Sequence, residues 1–405
     1  MKRFHSIFSD RQPARAMLAV AALGVGLLVP ATASATASAC PVAYTAPTYL
    51  APGTSVNAIS HTQVVGNAGA AGSGTYHAFA YGLRTRNLVD LGTLGGLDSD
   101  ATATYDNIVA GWAYTATPAQ SKAFVVTRPG TTPMLDIGTL GGEDSAASAV
   151  NPDFVVGWAD TAGNAASHAF RYRIATKKMT DLGTLGGRDS TPTAIDLPAY
   201  GNTIVGYSDT AGNTAYHAFA DTGRTMTDLG TLGGTNSDAV AVNRHVVVGW
   251  AQTPTGALHA FYDDLTHPRM VDLGTLGGTD SEARAVYGDY VAGYYDRSDS
   301  SQIPFIYNLR THTMKSLGEF RGSIVNMVTG IGRSVVSGFS YVAVAGRFVP
   351  WAYSVSTSKY IALPTTLHGT GAYPAPTAGV NPDNDIAGTG VNSAGILQAT
   401  VWKWR

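Results

Sequence analysis

Three residue types recur along this 405-residue chain at spacings that could support chemistry. Histidine opens the tripeptide His-Ala-Phe at His77, His168, His217 and His259. Imidazoles bind metals and titrate near neutral pH, so a ring of them could hold an ion or respond to acid. Equivalent positions on successive repeats stand too far apart for one ion, whose ligands lie about 2 Å away. Each ring is therefore expected to satisfy backbone groups of a neighbouring strand or loop. The second set is Asp98, Asp144, Asp189 and Asp280, with Asn236 in the equivalent place, each followed by Ser. Loop carboxylates suit calcium, yet one acid per loop is a thin ligand set. Asp, Asn and Ser also cap nearby backbone N–H groups without any ligand, which is the expected role. Calcium is the rival reading, and no other cofactor is expected. The third set is the aromatic ending an apolar segment: Trp112, Trp158, Tyr207, Trp250 and Tyr294, with Phe339 later. Such rings suit packing between sheets. They are also the candidates for stacking on sugars or peptide side chains, where several weak sites add through effective concentration.

Signatures of enzymes are missing. The chain holds no Gly-x-Ser-x-Gly elbow, no Gly-x4-Gly-Lys phosphate loop, no His-Glu-x-x-His and no paired cysteines. Gly-Thr-Leu-Gly-Gly is not followed by a helical pattern, so a dinucleotide reading fails on context. Two carboxylates brought together by folding leave no linear trace. The units that break the repeat are where such a pair would be sought, with Asp296, Arg297, Asp299, Glu319 and Arg321 as candidates.

The elements that position these residues follow from one repeated string. Asp-Leu-Gly-Thr-Leu-Gly-Gly begins at Asp90, Asp181, Asp228 and Asp272, and a copy with Ile begins at Asp136, giving steps of 46, 45, 47 and 44 residues. That period matches a four-stranded propeller blade. An altered copy spans Ser316 to Gly322, another lies near Ile361 to Pro364, and Tyr49 to Gly53 holds the equivalent place at the start. Each unit contains four strand-length segments separated by turn formers such as Asn151-Pro152-Asp153. The second segment is continuously apolar, as in Val246-Val247-Val248, the pattern of a sheet covered on both faces. The expected fold is all-β: a closed β-propeller of eight four-stranded blades, with seven as the alternative count. The chain enters on a fourth segment near Tyr49 and ends on a third, Gln398 to Trp404, so its two ends should complete one shared blade.

Residues 1–35 read as an export signal. Lys2, Arg3, Arg11 and Arg15 precede 14 apolar residues, Ala16 to Val29, and Ala33-Ser34-Ala35 offers a cleavage site. The apolar run is shorter than the about 20 residues of a membrane span. Cleavage after Ala39 instead would leave Cys40 first and open to lipid modification. Residues 36–405 are then one domain of eight repeats. Cys40 is the only cysteine, which excludes an internal disulfide. From Thr36 onward 22 Lys and Arg face 27 Asp and Glu, a balance that disfavours nucleic acid as a partner.

His-Ala-Phe followed by Asp-Leu-Gly-Thr-Leu-Gly-Gly resembles the HAF repeat of bacterial extracellular proteins. The resemblance covers five units in detail and nearly the whole mature chain in period. Lys122 in the second unit, and Pro304 and Pro350 in later ones, depart from it. It implies a secreted repeat protein without a defined activity. The expectation is a secreted or periplasmic, non-catalytic recognition or scaffold module for a glycan or protein, with no membrane span. The alternative is a polysaccharide hydrolase or lyase at the degenerate C-terminal blades.

Overall fold

A computed structural model describes residues 44–69, 74–342, 347–363, 379–392 and 396–405. The expected leader, its cleavage sites and Cys40 lie outside the described residues. The described chain forms eight four-stranded antiparallel sheets, each ordered first to fourth strand from its innermost member. Blade three shows the plan: Gly141–Val150, Phe154–Thr161, Ser167–Arg173 and Lys178–Gly183. Blades one, two, four, five, six and seven begin at Thr54, Gly95, Gly186, Ser237, Ser281 and Val325. The eighth sheet takes Gly379–Val380, Ile386–Val391 and Leu397–Trp402 from the C-terminal end, and its outermost strand, Thr48–Pro52, from the N-terminal end. The fold is a closed β-propeller of eight blades, joined through a blade shared by the two ends.

The core is divided among the blade interfaces. Each of eight apolar clusters joins two consecutive blades: Val156 and Ala169 meet Ile204 and Phe219 between blades three and four. Leu50 and Val401 meet Val56 and Phe79 where blade eight closes on blade one. Adjacent residues of the second strand serve opposite interfaces, Val155 facing blade two and Val156 facing blade four. This explains why that segment is continuously apolar. In the third strand Phe170 points back to blade two and Ala169 forward to blade four, and full burial of such a ring contributes about 2–3 kcal/mol.

The glycine after the apolar pair is set by close approach. A Cβ on Gly157 would lie 2.0 Å from the Ala146 carbonyl oxygen, and at Gly111, Gly206 and Gly249 the matching distances are 2.0, 2.1 and 1.9 Å. A bulge in the first strand, between Ala147 and Ala149, brings that carbonyl in. Across the sheet the same glycines face Phe124, Phe170, Phe219 and Phe261. In blades six and seven the facing Phe305 and Trp351 rings enter the space left by Gly293 and Gly338.

Gly157→Ala is expected to destabilise by about 3 kcal/mol through this overlap. Gly163→Ala, in an open turn at φ +72° with nothing within 4 Å, should cost about 1 kcal/mol. Urea midpoints of the two variants would show the order, and equal midpoints would refute the steric account.

Candidate functional site

The connections from fourth to first strand and from second to third emerge on one end of the ring, the crossover face. Gly95, Thr115, Tyr114 and Ser121 mark that end of blade two through their pairing. The repeated polar residues all gather here. His168 Nδ1 lies 3.0 Å from Asp181 Oδ2, and the pairs His77–Asp90, His217–Asp228 and His259–Asp272 measure 3.0, 2.9 and 2.8 Å. A carboxylate only accepts, so Nδ1 carries the proton. The partner is thus the Asp that opens Asp-Leu-Gly on the adjacent fourth strand, where the sequence led us to expect backbone groups. The same carboxylate accepts from the backbone N–H two residues on, as Asp181 does from Gly183 at 2.7 Å. In blade two Lys122 replaces the histidine and donates to the Glu143 carbonyl instead.

Asp98, Asp144, Asp189 and Asp280, with Asn236, do cap backbone N–H groups, but those of the preceding blade. They accept from Tyr76, Ser121, Ser167, Leu258 and Tyr216 at 2.7 to 3.1 Å. The serine that follows acts deeper. Ser190 Oγ donates to Gly183 O at 2.6 Å and accepts from Ala169 N at 2.8 Å. Those two groups face each other where a register shift opens the ladder between third and fourth strands. One hydroxyl from the next blade therefore satisfies both. Ser99, Ser145, Ser237 and Ser281 repeat the arrangement. At ring closure Thr54 does so with Ala51 O and Ala399 N. Among the described residues no three acidic, histidine or cysteine side chains converge on one point.

The aromatic candidates are divided by burial. Trp158, Trp250 and Tyr294 are buried, which leaves no open ring face for stacking, while Trp112 and Tyr207 are half-buried. Tyr216 of blade four bridges Tyr207 and Trp250 with edge-on contacts of 5.7 and 6.1 Å. Packing accounts for the three buried rings.

The candidates in the degenerate blades meet only in part. Arg297 binds Asp299 and Glu319 at 2.7 and 2.8 Å near the surface. Hydrogen bonds from Arg297, then from Ser301, hold the Asp299 carboxyl well below its usual range. Arg321 instead lies over the Phe320 ring. A glycosidase acid must retain its proton, and the carboxyls pushed upward lie elsewhere. Asp100 and Asp238 occupy the innermost strand, at the position after the repeated serine, where blades three and four carry Ala146 and Thr191. Burial raises Asp100 to about 6, against hydrogen bonds from Asn67 and Asn57. Burial raises Asp238 to about 7, with Arg284 opposing and Glu282 adding to the rise. Asp238 Oδ1 has no hydrogen-bond partner. Sequence reading missed these two acids, although an acid follows the repeated Ser in three of five units, at Asp100, Asp238 and Glu282.

No protein-family model and no curated protein matches this sequence. Among solved structures the chain is similar to TolB from Acinetobacter baumannii, at 12% identity over 72% of this chain and 76% of that one, TM-score 0.40. It is similar to the β-propeller domain of the Trilobed protease from Pyrococcus furiosus, at 8% identity, 82% and 98% coverage, TM-score 0.49. A prolyl endopeptidase structure gives 10% identity and TM-score 0.49 over 89% of this chain, which spans 55% of that protein. The propeller assignment rests on this chain's own strand pairing, and these likenesses carry nothing about activity.

Ser190→Ala strands two buried backbone groups and should cost about 2–4 kcal/mol. His168→Ala removes an exposed pair and should cost under about 1 kcal/mol. Equal losses in chemical denaturation would contradict the assigned roles. For Asp238, both folded and unfolded chains hold the proton below about pH 4. As pH rises towards 7 only the unfolded chain releases it, so stability falls. Asp238→Asn should flatten part of that decline and exceed wild type at pH 8 by up to about 4 kcal/mol; an unchanged slope would count against it.

Proposed function

We propose that this protein is a secreted, non-catalytic recognition module that binds a protein partner through its crossover face. One observation carries the reading. Six of the seven exposed large apolar side chains among the described residues lie on that face: Tyr76, Leu97, Leu276, Ile324, Ile396 and Leu397. The Leu97 side is 71% exposed and Tyr76 50%. Several of them adjoin across ring closure. Leu397 O accepts from Gly53 N, Gly69 N donates to Gly53 O, and the Tyr76 ring lies over Gly69. Tyr76 N then donates to Asp98, next to Leu97. A strip of aliphatic and aromatic groups crossing three blades suits another protein surface, where apolar anchors contribute most of the affinity. At the place of Leu97, blades three and four present Glu143 and Arg188, so the strip is local.

Secretion is part of the proposal and rests on the basic and apolar pattern of residues 1–35. Membership of the HAF-repeat class is likewise proposed, on the repeated His-Ala-Phe and Asp-Leu-Gly-Thr-Leu-Gly-Gly strings. No helix among the described residues is long and apolar enough to cross a membrane. The enzymatic alternative is less well supported, because the degenerate-blade carboxylate Asp299 is held ionised by Arg297.

The purified mature protein should retain a partner from extracellular fractions of the producing cell. Leu97→Asp with Tyr76→Ser should weaken retention at least tenfold at unchanged Tm. Undiminished retention by that variant would overturn the assigned face. Release of reducing ends from polysaccharides, lost in Asp296→Asn or Glu319→Gln, would overturn the non-catalytic reading.

A further inference from the structure

The propeller breaks its own pattern at the interface of blades three and four, away from the exposed apolar strip. The third-strand residue opposite Val156 is Arg171. At the corresponding place the other seven blades carry an uncharged residue, apolar in six, from Ala80 opposite Val65 to Val401 opposite Ala387, and Tyr262 in blade five. Arg171 thus puts a guanidinium between blades three and four, where the fold itself asks only for packing. It is set by three neighbours: the Phe154 ring 5.9 Å below it, the Gly223 carbonyl at 3.4 Å and the buried Asp221 carboxylate at 3.8 Å. Asp221 in turn accepts from Gly223 N at 2.6 Å, which fixes the turn carrying Arg224.

These departures leave a groove of about 330 Å³ on the outer flank of the interface, lined by Arg171, Thr180, Asp181, Leu182, Arg224, Thr225 and Met226 among others. Arg224 is exposed, and neither it nor the hydroxyls of Thr180 and Thr225 has a hydrogen bond or ion pair among the described residues. A free guanidinium at the mouth offers a forked pair of donors to a carboxylate. Two unused hydroxyls and the Asp181 carboxylate can exchange hydrogen bonds with sugar hydroxyls, while Leu182 and Met226 supply an apolar side for the C–H face of a ring. Arg171 is offset by Asp221 and Asp181 by His168, so the unpaired Arg224 with hydroxyls beside it fits a carboxylated sugar better than an acidic peptide, whose carboxylates come without a polyol.

We propose that this groove binds the uronate residues of an acidic oligosaccharide. The groove reaches the crossover face at Asp181 but shares no residue with the apolar strip on blades eight, one and two, so either can fail alone. The test is calorimetric titration of the purified mature protein with tetramannuronate, neutral mannotetraose and tetraglutamate. Saturable binding of tetramannuronate, at least tenfold tighter than that of mannotetraose or tetraglutamate, is expected. Arg224→Ala should weaken it at least tenfold, Arg224→Lys should recover part of the loss, and the Leu97→Asp, Tyr76→Ser variant should bind as wild type does. No binding of tetramannuronate, equal binding of the neutral sugar or the peptide, or indifference to Arg224→Ala would each overturn the proposal. Arg224 is exposed, so an unchanged Tm in Arg224→Ala separates lost contact from lost fold.

Discussion

A sheet with two apolar faces cannot stand in water, and every blade of this ring is such a sheet. Each therefore needs a neighbour on both sides, and at six of the eight interfaces one hydroxyl specifies the contact. Where the third and fourth strands slip out of register, the serine of the following blade bonds the opposed N–H and C=O that the slip would leave unpaired. Apolar packing alone would tolerate sliding of one sheet over another. The serine fixes the offset, because a buried donor and acceptor are satisfied in one alignment only.

The same rule accounts for most of what repeats. An aromatic ring faces a glycine that must lack a side chain, the loop Asp caps the preceding blade, and the surface His leans on the Asp of its own fourth strand. Because architecture explains these positions in nearly every blade, they say little about a ligand. Information about function sits where a blade departs from its neighbours at a cost. Asp238 buries a carboxylate with an unpartnered oxygen at an inner position where blades three and four have Ala and Thr. Arg171 puts charge into an apolar interface, and Leu97 exposes an apolar side chain where other blades present polar ones.

Closure distributes stability round the ring. The eighth blade is completed by a strand from the other end of the chain, and Tyr44 extends that joint: it is fully buried, its hydroxyl donates to Asn384 O at 3.0 Å, and its ring meets Trp404 edge-on. Thr54, standing in for serine, completes the hydrogen bonding at the seam. Contacts of Tyr44 and Thr48–Pro52 with the C-terminal strands mean that the ring closes only when both of these segments are in place, which links folding of any one blade to folding of all.

Period, strand order, blade number and the shared closing blade were legible in the sequence, because each is a local pattern copied several times. A bulge, a glycine and an aromatic recur together since the same short-range geometry demands them in every unit. Partners across the interfaces were not legible. The histidine's Asp lies on the neighbouring strand, the loop Asp caps a blade 22 residues earlier in the case of Asp98 and Tyr76, and three of the five aromatic candidates are enclosed by adjoining sheets. The sequence by itself determined the repeated unit; the tertiary structure decided which odd residues are buried together and which face water. Repetition is written along the chain, whereas burial and proximity arise only when the sheets stack and remove solvent between them.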